Sequence, residues 1–251
     1  MTVLITMAGM GSRFSRAGYT IPKYKVLARG RSLFEWSMNS LQRFYGQKFI
    51  FATLADEDNE WLLAMAKGMG IKDSLVHTRE NLSRGQAETA FDALSVVTQQ
   101  EEIWIYNIDT YVAYGMSPLD MASYDGCVPV FPSKNPSMSF VHYDAFGRVD
   151  EVAEKRVISH WATVGMYGFR SAELYKDLYR ASYERAGVAE VMGERYIAPM
   201  YEIMLNKNLS LAAPKLMREA VHVLGTPTEV QVFDPAALPP TGNTEQGRRA
   251  K

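Results

Sequence analysis

Thr2 to Met7 is a short apolar run rich in β-branched residues, and it empties directly into a loop carrying Gly9, Gly11 and Gly18. Unbroken apolarity over so few residues suits a central strand buried on both faces, and such strands belong to helix-covered parallel sheets. The pattern downstream agrees. Ser32 to Phe44 has helical spacing, with Leu33, Trp36, Leu41 and Phe44 on one side and Ser32 with Glu35 as a capping box. Strands are expected at Phe49–Leu54, Ser74–His77 and Ile103–Ile108, and helices at Asn59–Gly68 and Gln86–Val97. That alternation predicts an α/β fold with a mixed, mainly parallel sheet flanked by helices on both faces.

The second half reads differently. Gly126–Phe131, Ser139–Tyr143, Arg148–Val152 and Thr163–Phe169 are expected as strands separated by short turns. Helices follow at Ser171–Arg185 and Glu194–Leu205, then a strand at Ala220–Leu224 and a helix at Thr226–Phe233. No internal repeat is visible. From Pro235 the chain is rich in Pro, Gly and charge, so residues 1–234 are expected as one domain and 235–251 as a flexible tail. A chain of 251 residues suits a single α/β unit.

Charge narrows the partners. Lys plus Arg number 27 against 28 Asp plus Glu, a net charge of −1. A nucleic-acid binder or membrane-surface protein usually carries a basic excess, so neither partner is expected. A small anion is not excluded, because a few local cations can hold a phosphate. Cys127 is the single cysteine, which rules out an intramolecular disulfide and a multi-thiolate metal site. His77, His142, His160 and His222 have no ligand spacing, so zinc is not expected. No apolar run approaches the ~18–20 residues that span a bilayer. Gly9, Gly11, Arg13 and Arg16 follow the first strand at once, unlike a signal peptide. A cytoplasmic protein is expected; a homo-oligomer stays open, because the sequence does not tell exposed faces from covered ones.

The loop after the first strand reads Met7-Ala8-Gly9-Met10-Gly11-Ser12-Arg13-Phe14. Glycines let a ligand approach the backbone, successive amides there can form an anion-binding nest, and Arg13 adds a forked charge suited to phosphate. It is neither a Walker loop, which needs Gly-x-x-x-x-Gly-Lys-Ser/Thr, nor the dinucleotide fingerprint, where Phe14 replaces the third glycine. From the glycines alone, a ligand-free turn and a phosphate cradle stand level. Lys23, ten residues past Arg13 and presented by Pro22, tips the balance.

Here the chain resembles the sugar-phosphate nucleotidyltransferase family, the NDP-sugar pyrophosphorylases. Their opening is Leu-Ala-Gly-Gly-x-Gly-x-Arg, then Pro-Lys with a Gly and Leu/Met at fixed offsets. This chain has Met-Ala-Gly-Met-Gly-Ser-Arg, one residue shorter, then Pro22-Lys23 with Gly30 and Leu33, and Met10 stands in place of the second glycine. The resemblance implies a Rossmann-like, GT-A-like fold with the nucleotide held by Ala8, Gly9, Gly11, Ser12 and Arg13. Arg13 and Lys23 are the implied catalytic residues. Gly85-Gln86-Ala87-Glu88-Thr89 is similar to the family's Gly-Gln/Thr-Ala-x-Thr segment beside the base, where a Gln86 amide can donate and accept. Asp109, beyond the carboxyl end of a central strand, matches the family's Mg²⁺ ligand, and Asn107 shares its face and is placed with the nucleotide.

Glu154-Lys155 and Gly165-Met166-Tyr167 resemble the family's Glu-Lys-Pro segment and following Gly-x-Tyr strand, with Arg156 in place of the proline. Glu194-x-Tyr196-x-x-Pro199-x-Tyr201 and Leu224-Gly225-Thr226-Pro227 are similar to blocks of the capsule- and lipopolysaccharide-type members. The resemblance therefore implies an acceptor site of Glu154, Lys155, Gly165, Glu194 and Tyr196. Many relatives carry an aspartate just before that Gly-Thr as a second metal ligand; here Leu224 stands there. The expected reaction is Mg²⁺-dependent transfer of NMP from an NTP to a phosphorylated small molecule, a sugar 1-phosphate or similar, releasing pyrophosphate. A cytidylyltransferase for phosphocholine or a phospho-amino acid is the alternative. A glycosyltransferase of similar fold fits less well, since Asn107 breaks its Asp-x-Asp motif, and a non-catalytic nucleotide-binding subunit is the remaining rival.

Overall fold

The structure is a computed structural model that describes residues 1–237 apart from residues 56 and 186–189. From residue 238 onward the expected tail lies outside the described residues. The apolar run at the amino end forms β1 (Thr2–Thr6), followed by α1 (Ser12–Arg16), a hairpin of β2 (Leu27–Ala28) and β3 (Arg31–Ser32), and α2 (Leu33–Asn39). Next come β4 (Lys48–Leu54), α3 (Asn59–Gly68), β5 (Asp73–Arg79), α4 (Gln86–Ala93), β6 (Ile103–Asn107) and β7 (Thr110–Val112). The second half adds β8 (Gly126–Cys127), β9 (Val130–Pro132), β10 (Ser139–Tyr143), β11 (Val149–Glu154), β12 (Trp161–Thr163) and β13 (Met166–Phe169). Helices α5 (Ala172–Arg180) and α6 (Ala198–Asn206), strands β14 (Leu211–Ala212) and β15 (Val221–Val223), and α7 (Pro227–Phe233) complete it.

The main sheet has seven strands in the order β14-β8-β13-β6-β1-β4-β5. β1 lies inside it, parallel to β4 on one side and β6 on the other, with Thr6 opposite both Ala52 and Asn107. Only β13 runs against its neighbours β6 and β8, so the sheet is mixed and mainly parallel, as expected. Alternation along β1 divides the core. Val3 and Ile5 pack with Phe49, Phe51, Trp104 and Tyr106 beneath α2 and α3, while Leu4 joins Ile50, Ile105 and the α4, α5 and α6 residues opposite. Each large apolar side chain buried in these layers contributes about 1.5–3 kcal/mol. A second sheet, β11-β10-β12-β9, is wholly antiparallel.

Local chemistry explains several ends. The Ser32 capping box forms in full: its Oγ accepts the Glu35 N–H, and Glu35 accepts the Ser32 N–H at 2.8 Å. Asp58, Ser171 and Thr226 cap α3, α5 and α7 with the first half of that box alone, each side chain accepting the N–H three residues on.

Several expected elements differ. The expected helix Ser32–Phe44 ends as α2 at Asn39, with a short 3-10 turn at Gln42–Phe44, and Gln86–Val97 ends as α4 at Ala93, with another at Leu94–Val96. Glu194–Leu205 is not one helix: Glu194–Ile197 is irregular and α6 begins at Ala198, with Pro199 in its first turn, where its missing N–H costs nothing. Thr163–Phe169 is not one strand, because Gly165 turns the chain at φ +84° and hands it from the antiparallel sheet to the main one. Gly126–Phe131 likewise splits into β8 and β9, which belong to different sheets. Among the described residues no helix is long and apolar enough to cross a membrane.

Candidate active site

The loops beyond the carboxyl ends of β1 and β6 enclose a cleft of about 500 Å³. Ligands in open α/β sheets bind at such strand ends. The glycine loop forms one wall. Gly11 sits at φ +58°, immediately before α1, in a left-handed conformation that suits glycine. Met10 is not among the residues with positive φ, and its side chain is 68% exposed, so replacing a glycine there needs no unusual backbone. Ala8, Gly9, Gly11, Ser12 and Arg13 all line the cleft. Arg13 is exposed, and no ion pair among the described residues neutralises it.

Lys23 stands across from that loop. Its ammonium donates to Asp109 Oδ2 at 3.1 Å, joining residues 86 apart in sequence, and both line the cleft. The turn that carries Lys23 is anchored on either flank. Tyr24 donates its hydroxyl to Glu57 at 2.5 Å, and Lys25 donates to Asp58 at 2.7 Å. Asp109 is held through its backbone, because its carbonyl accepts the Leu224 N–H at 2.7 Å.

This donor set suits a hard cation carried in with phosphates. Among the described residues no three His, Cys, Asp or Glu side chains could enclose a metal on their own. Mg²⁺ characteristically needs only one or two carboxylates, its other ligands being water and nucleotide oxygens. Asp109 supplies such a carboxylate.

On the opposite wall, Gln86 Nε2 donates to Thr6 Oγ1 at 3.1 Å and also to Asn107 Oδ1. The amide expected to read a base is thus aligned from below by two neighbouring strands. Gly85 has φ +130°, and a Cβ there would fall 2.6 Å from the Arg195 carbonyl oxygen. Gly165 is required in the same way, since its Cβ would meet Asn107 Nδ2 at 2.7 Å.

No family model and no curated protein matches the sequence. Among solved structures, the chain is similar to a nucleoside-diphosphate-sugar pyrophosphorylase from Vibrio cholerae RC9. The identity is 33% over 93% of this chain and 99% of that one, with a TM-score of 0.85. The chain belongs to the sugar-phosphate nucleotidyltransferase family. Two other matches speak for the fold alone: an inositol-1-phosphate CTP transferase from T. maritima (11% identity, 92% and 93% coverage, TM-score 0.71), and a Bacillus anthracis protein assigned as a glucose-1-phosphate thymidylyltransferase in complex with a sucrose (14%, 94% and 95%, 0.74).

The residues that the nucleotidyltransferase resemblance assigns to the acceptor fall into two groups. Glu194 and Tyr196 line the cleft; Glu154, Lys155 and Gly165 are not among its lining residues, and Gly165 packs against Asn107. The groups touch where the Lys155 ammonium donates to the Tyr196 hydroxyl and lies 4.4 Å from its ring centroid. Lys155 adopts φ +52°, a left-handed conformation uncommon for a side-chain-bearing residue.

Burial pushes the Glu154 carboxyl above its ordinary range; the Ser139 hydroxyl and Lys155 ammonium oppose that rise, and Glu194 adds to it. The folded chain therefore holds this proton more tightly than the unfolded chain, so the ionised carboxylate costs stability as pH climbs through its titration range. Glu154→Gln is expected to raise Tm over the parent at about pH 8 and to lose that advantage near about pH 4. An equal Tm difference at both pH values would refute the assignment.

Tyr24, Glu57, Ser83 and Thr89 also line this nucleotidyltransferase cleft and were not expected from the sequence. Glu57 lies in the loop between β4 and α3, where nothing local marks it; its role depends on Tyr24, 33 residues earlier.

Proposed function

We propose that this chain transfers NMP from an NTP to a phosphorylated small-molecule acceptor and releases pyrophosphate. The observation that carries the reading is the convergence of the Gly11 loop, Lys23 and Asp109 in one cleft, with Lys23 and Asp109 in contact. An oxygen of the acceptor phosphate attacks the α-phosphorus, and the bond from that phosphorus to the bridging oxygen of the β-phosphate breaks, its electron pair leaving with pyrophosphate. The attacking phosphate is already ionised near neutrality, so no general base is needed. What remains is alignment and charge neutralisation. Arg13 with the Gly11 and Ser12 amides would hold the β- and γ-phosphates and Lys23 the α-phosphate, while Lys155, bonded to Tyr196 at the cleft wall, would orient the acceptor side. Mg²⁺ held by Asp109 would supply further neutralisation of phosphate charge.

A sugar 1-phosphate is the acceptor this reading favours, supported by the likeness to the Vibrio cholerae nucleoside-diphosphate-sugar pyrophosphorylase. The Glu194–Tyr201 and Gly225–Pro227 blocks support a place in surface-polysaccharide precursor synthesis, in the cytoplasm where NTPs are available. CTP with phosphocholine or a phospho-amino acid is the second reading. It is favoured by the likeness of these endings to members with non-sugar acceptors.

The test is pyrophosphate release across four NTPs and a panel of hexose 1-phosphates, phosphocholine and phospho-amino acids, with and without EDTA. Release with one NTP–acceptor pair, abolished by EDTA, is the expected result. Consumption of an NDP-sugar without any NTP reaction would make it a glycosyltransferase. NTP binding with no turnover across the panel would make it a non-catalytic binder.

A further inference from the structure

Arg195 falls between two residues of the cleft, Glu194 and Tyr196, yet points away from it and is only 6% exposed. Its guanidinium donates to the Glu190 carboxylate at 2.9 Å and to the Tyr179 hydroxyl at 2.7 Å, with the Tyr183 ring 5.3 Å away. Its backbone is committed as well. The Arg195 N–H donates to the Arg84 carbonyl at 2.6 Å, and its carbonyl accepts the Ala87 N–H at 3.0 Å. These bonds straddle Gly85 and Gln86, so the segment beside the nucleotide is fastened to the segment Glu194–Tyr196.

The partners of this clasp come from one helix face. Tyr175, Tyr179 and Tyr183 are spaced four apart on α5 and its continuation, Ala181–Arg185, so they stack along one side. Tyr175 donates its hydroxyl to the Ala87 carbonyl at 2.8 Å, and Tyr183 donates to the Tyr196 carbonyl at 2.5 Å. Tyr179, between them, meets Arg195. One end of the ladder thus holds the nucleotide segment, the other end the acceptor segment, and the middle rung holds the residue that joins both. Burial pushes the Tyr175 and Tyr183 phenols well up, so both keep the proton they donate.

We infer that Arg195, braced by the tyrosine ladder of α5, is a positioning residue that sets the nucleotide and acceptor segments of the cleft in mutual register. The inference rests on the nucleotidyl-transfer reading of the cleft. It adds that the two substrate sites share one mechanical support, with a separable rung for each.

That separability is the test. Wild type, Tyr175→Phe, Tyr183→Phe and Arg195→Met are compared by calorimetric titration with the four NTPs as magnesium salts. They are also compared by steady-state kinetics on the NTP–acceptor pair that the wild type turns over. Removing one neutral hydrogen bond corresponds to about two- to tenfold in affinity. Tyr175→Phe should weaken NTP binding by that factor and leave the acceptor KM within about twofold; Tyr183→Phe should do the reverse. Arg195→Met, which removes charge-assisted bonds, should raise both constants on the order of tenfold or more, and Arg195→Lys should recover part of each. Equal shifts of both constants in both tyrosine variants, or an Arg195→Met variant with a lower Tm but unchanged constants, would overturn the proposal. Should Arg195→Met not fold, the two tyrosine variants decide alone. Absence of wild-type turnover would sink the function proposed above, while NTP affinities would still test the ladder: Tyr175→Phe and Arg195→Met weakened, Tyr183→Phe unchanged.

Discussion

Lys23→Met is expected to lower kcat by about two to three orders of magnitude, the range for removal of one preorganised electrostatic group from a transition state. The size follows from how firmly the ammonium is placed. Pro22 restrains the approach at φ −54°, Tyr24 and Lys25 are bonded to Glu57 and Asp58, and the Lys23 side chain is only 22% exposed. A charge held this way needs no reorganisation when negative charge shifts toward the departing pyrophosphate. Asp109→Ala and Arg13→Ala are expected to fall by similar factors, since each removes another member of the same array.

Stability should hardly move in Lys23→Met. The Lys23–Asp109 pair is partly open to solvent, with side chains 22% and 30% exposed, and pairs of that kind are worth about 0–1 kcal/mol. A large kinetic loss with a nearly unchanged Tm would separate a catalytic lysine from a structural one. Arg148→Met supplies the control: that side chain is 76% exposed and pairs locally with Asp144, so turnover should stay within about twofold. Steady-state kinetics with pyrophosphate detection reads all of these, and Lys23→Met at near-parental rates would remove the lysine from the mechanism.

The parts of this site that were legible in the sequence are those whose signal is local. The glycine loop, Pro22-Lys23 and Asp109 each announce themselves within a few residues of an apolar strand, and the structure brings all three to one cleft. What could not be read is pairing over distance. Nothing near Lys23 points to Asp109, and nothing near Tyr24 points to Glu57. Arg195 stood at a variable position of its motif, and its importance comes from Tyr179, Glu190 and the Arg84–Ala87 backbone. Secondary structure failed for related reasons. The run Thr163–Phe169 shows no polar–apolar alternation, so periodicity has no way to register that Gly165 carries the chain between two sheets. At Glu194, helical propensity outweighed the signal of Pro199, which marks where α6 starts.

Gly85→Ala is the second substitution with a large expected effect, and it acts by shape. The new Cβ would lie 2.6 Å from the Arg195 carbonyl oxygen and 2.7 Å from its nitrogen, and φ +130° is itself strained for any side chain. Backbone atoms cannot step aside as a flexible side chain can. The segment must shift, and with it the Arg84 and Ala87 bonds to Arg195 and the Gln86 amide above Thr6 and Asn107. Strain of this kind costs about 1–3 kcal/mol, so a clear drop in Tm is expected. The KM for NTP should rise by about tenfold or more, the scale of a catalytic group displaced by an ångström or less. Gly9→Ala makes the contrast. A Cβ at Gly9 meets nothing within 4 Å, so Tm should hold, while a methyl group added to this cleft-lining residue is expected to weaken NTP binding alone. If Gly85→Ala kept both the parental Tm and the parental KM, the close packing of the base-side loop on Arg195 would be wrong, and with it the physical link between the two substrate segments.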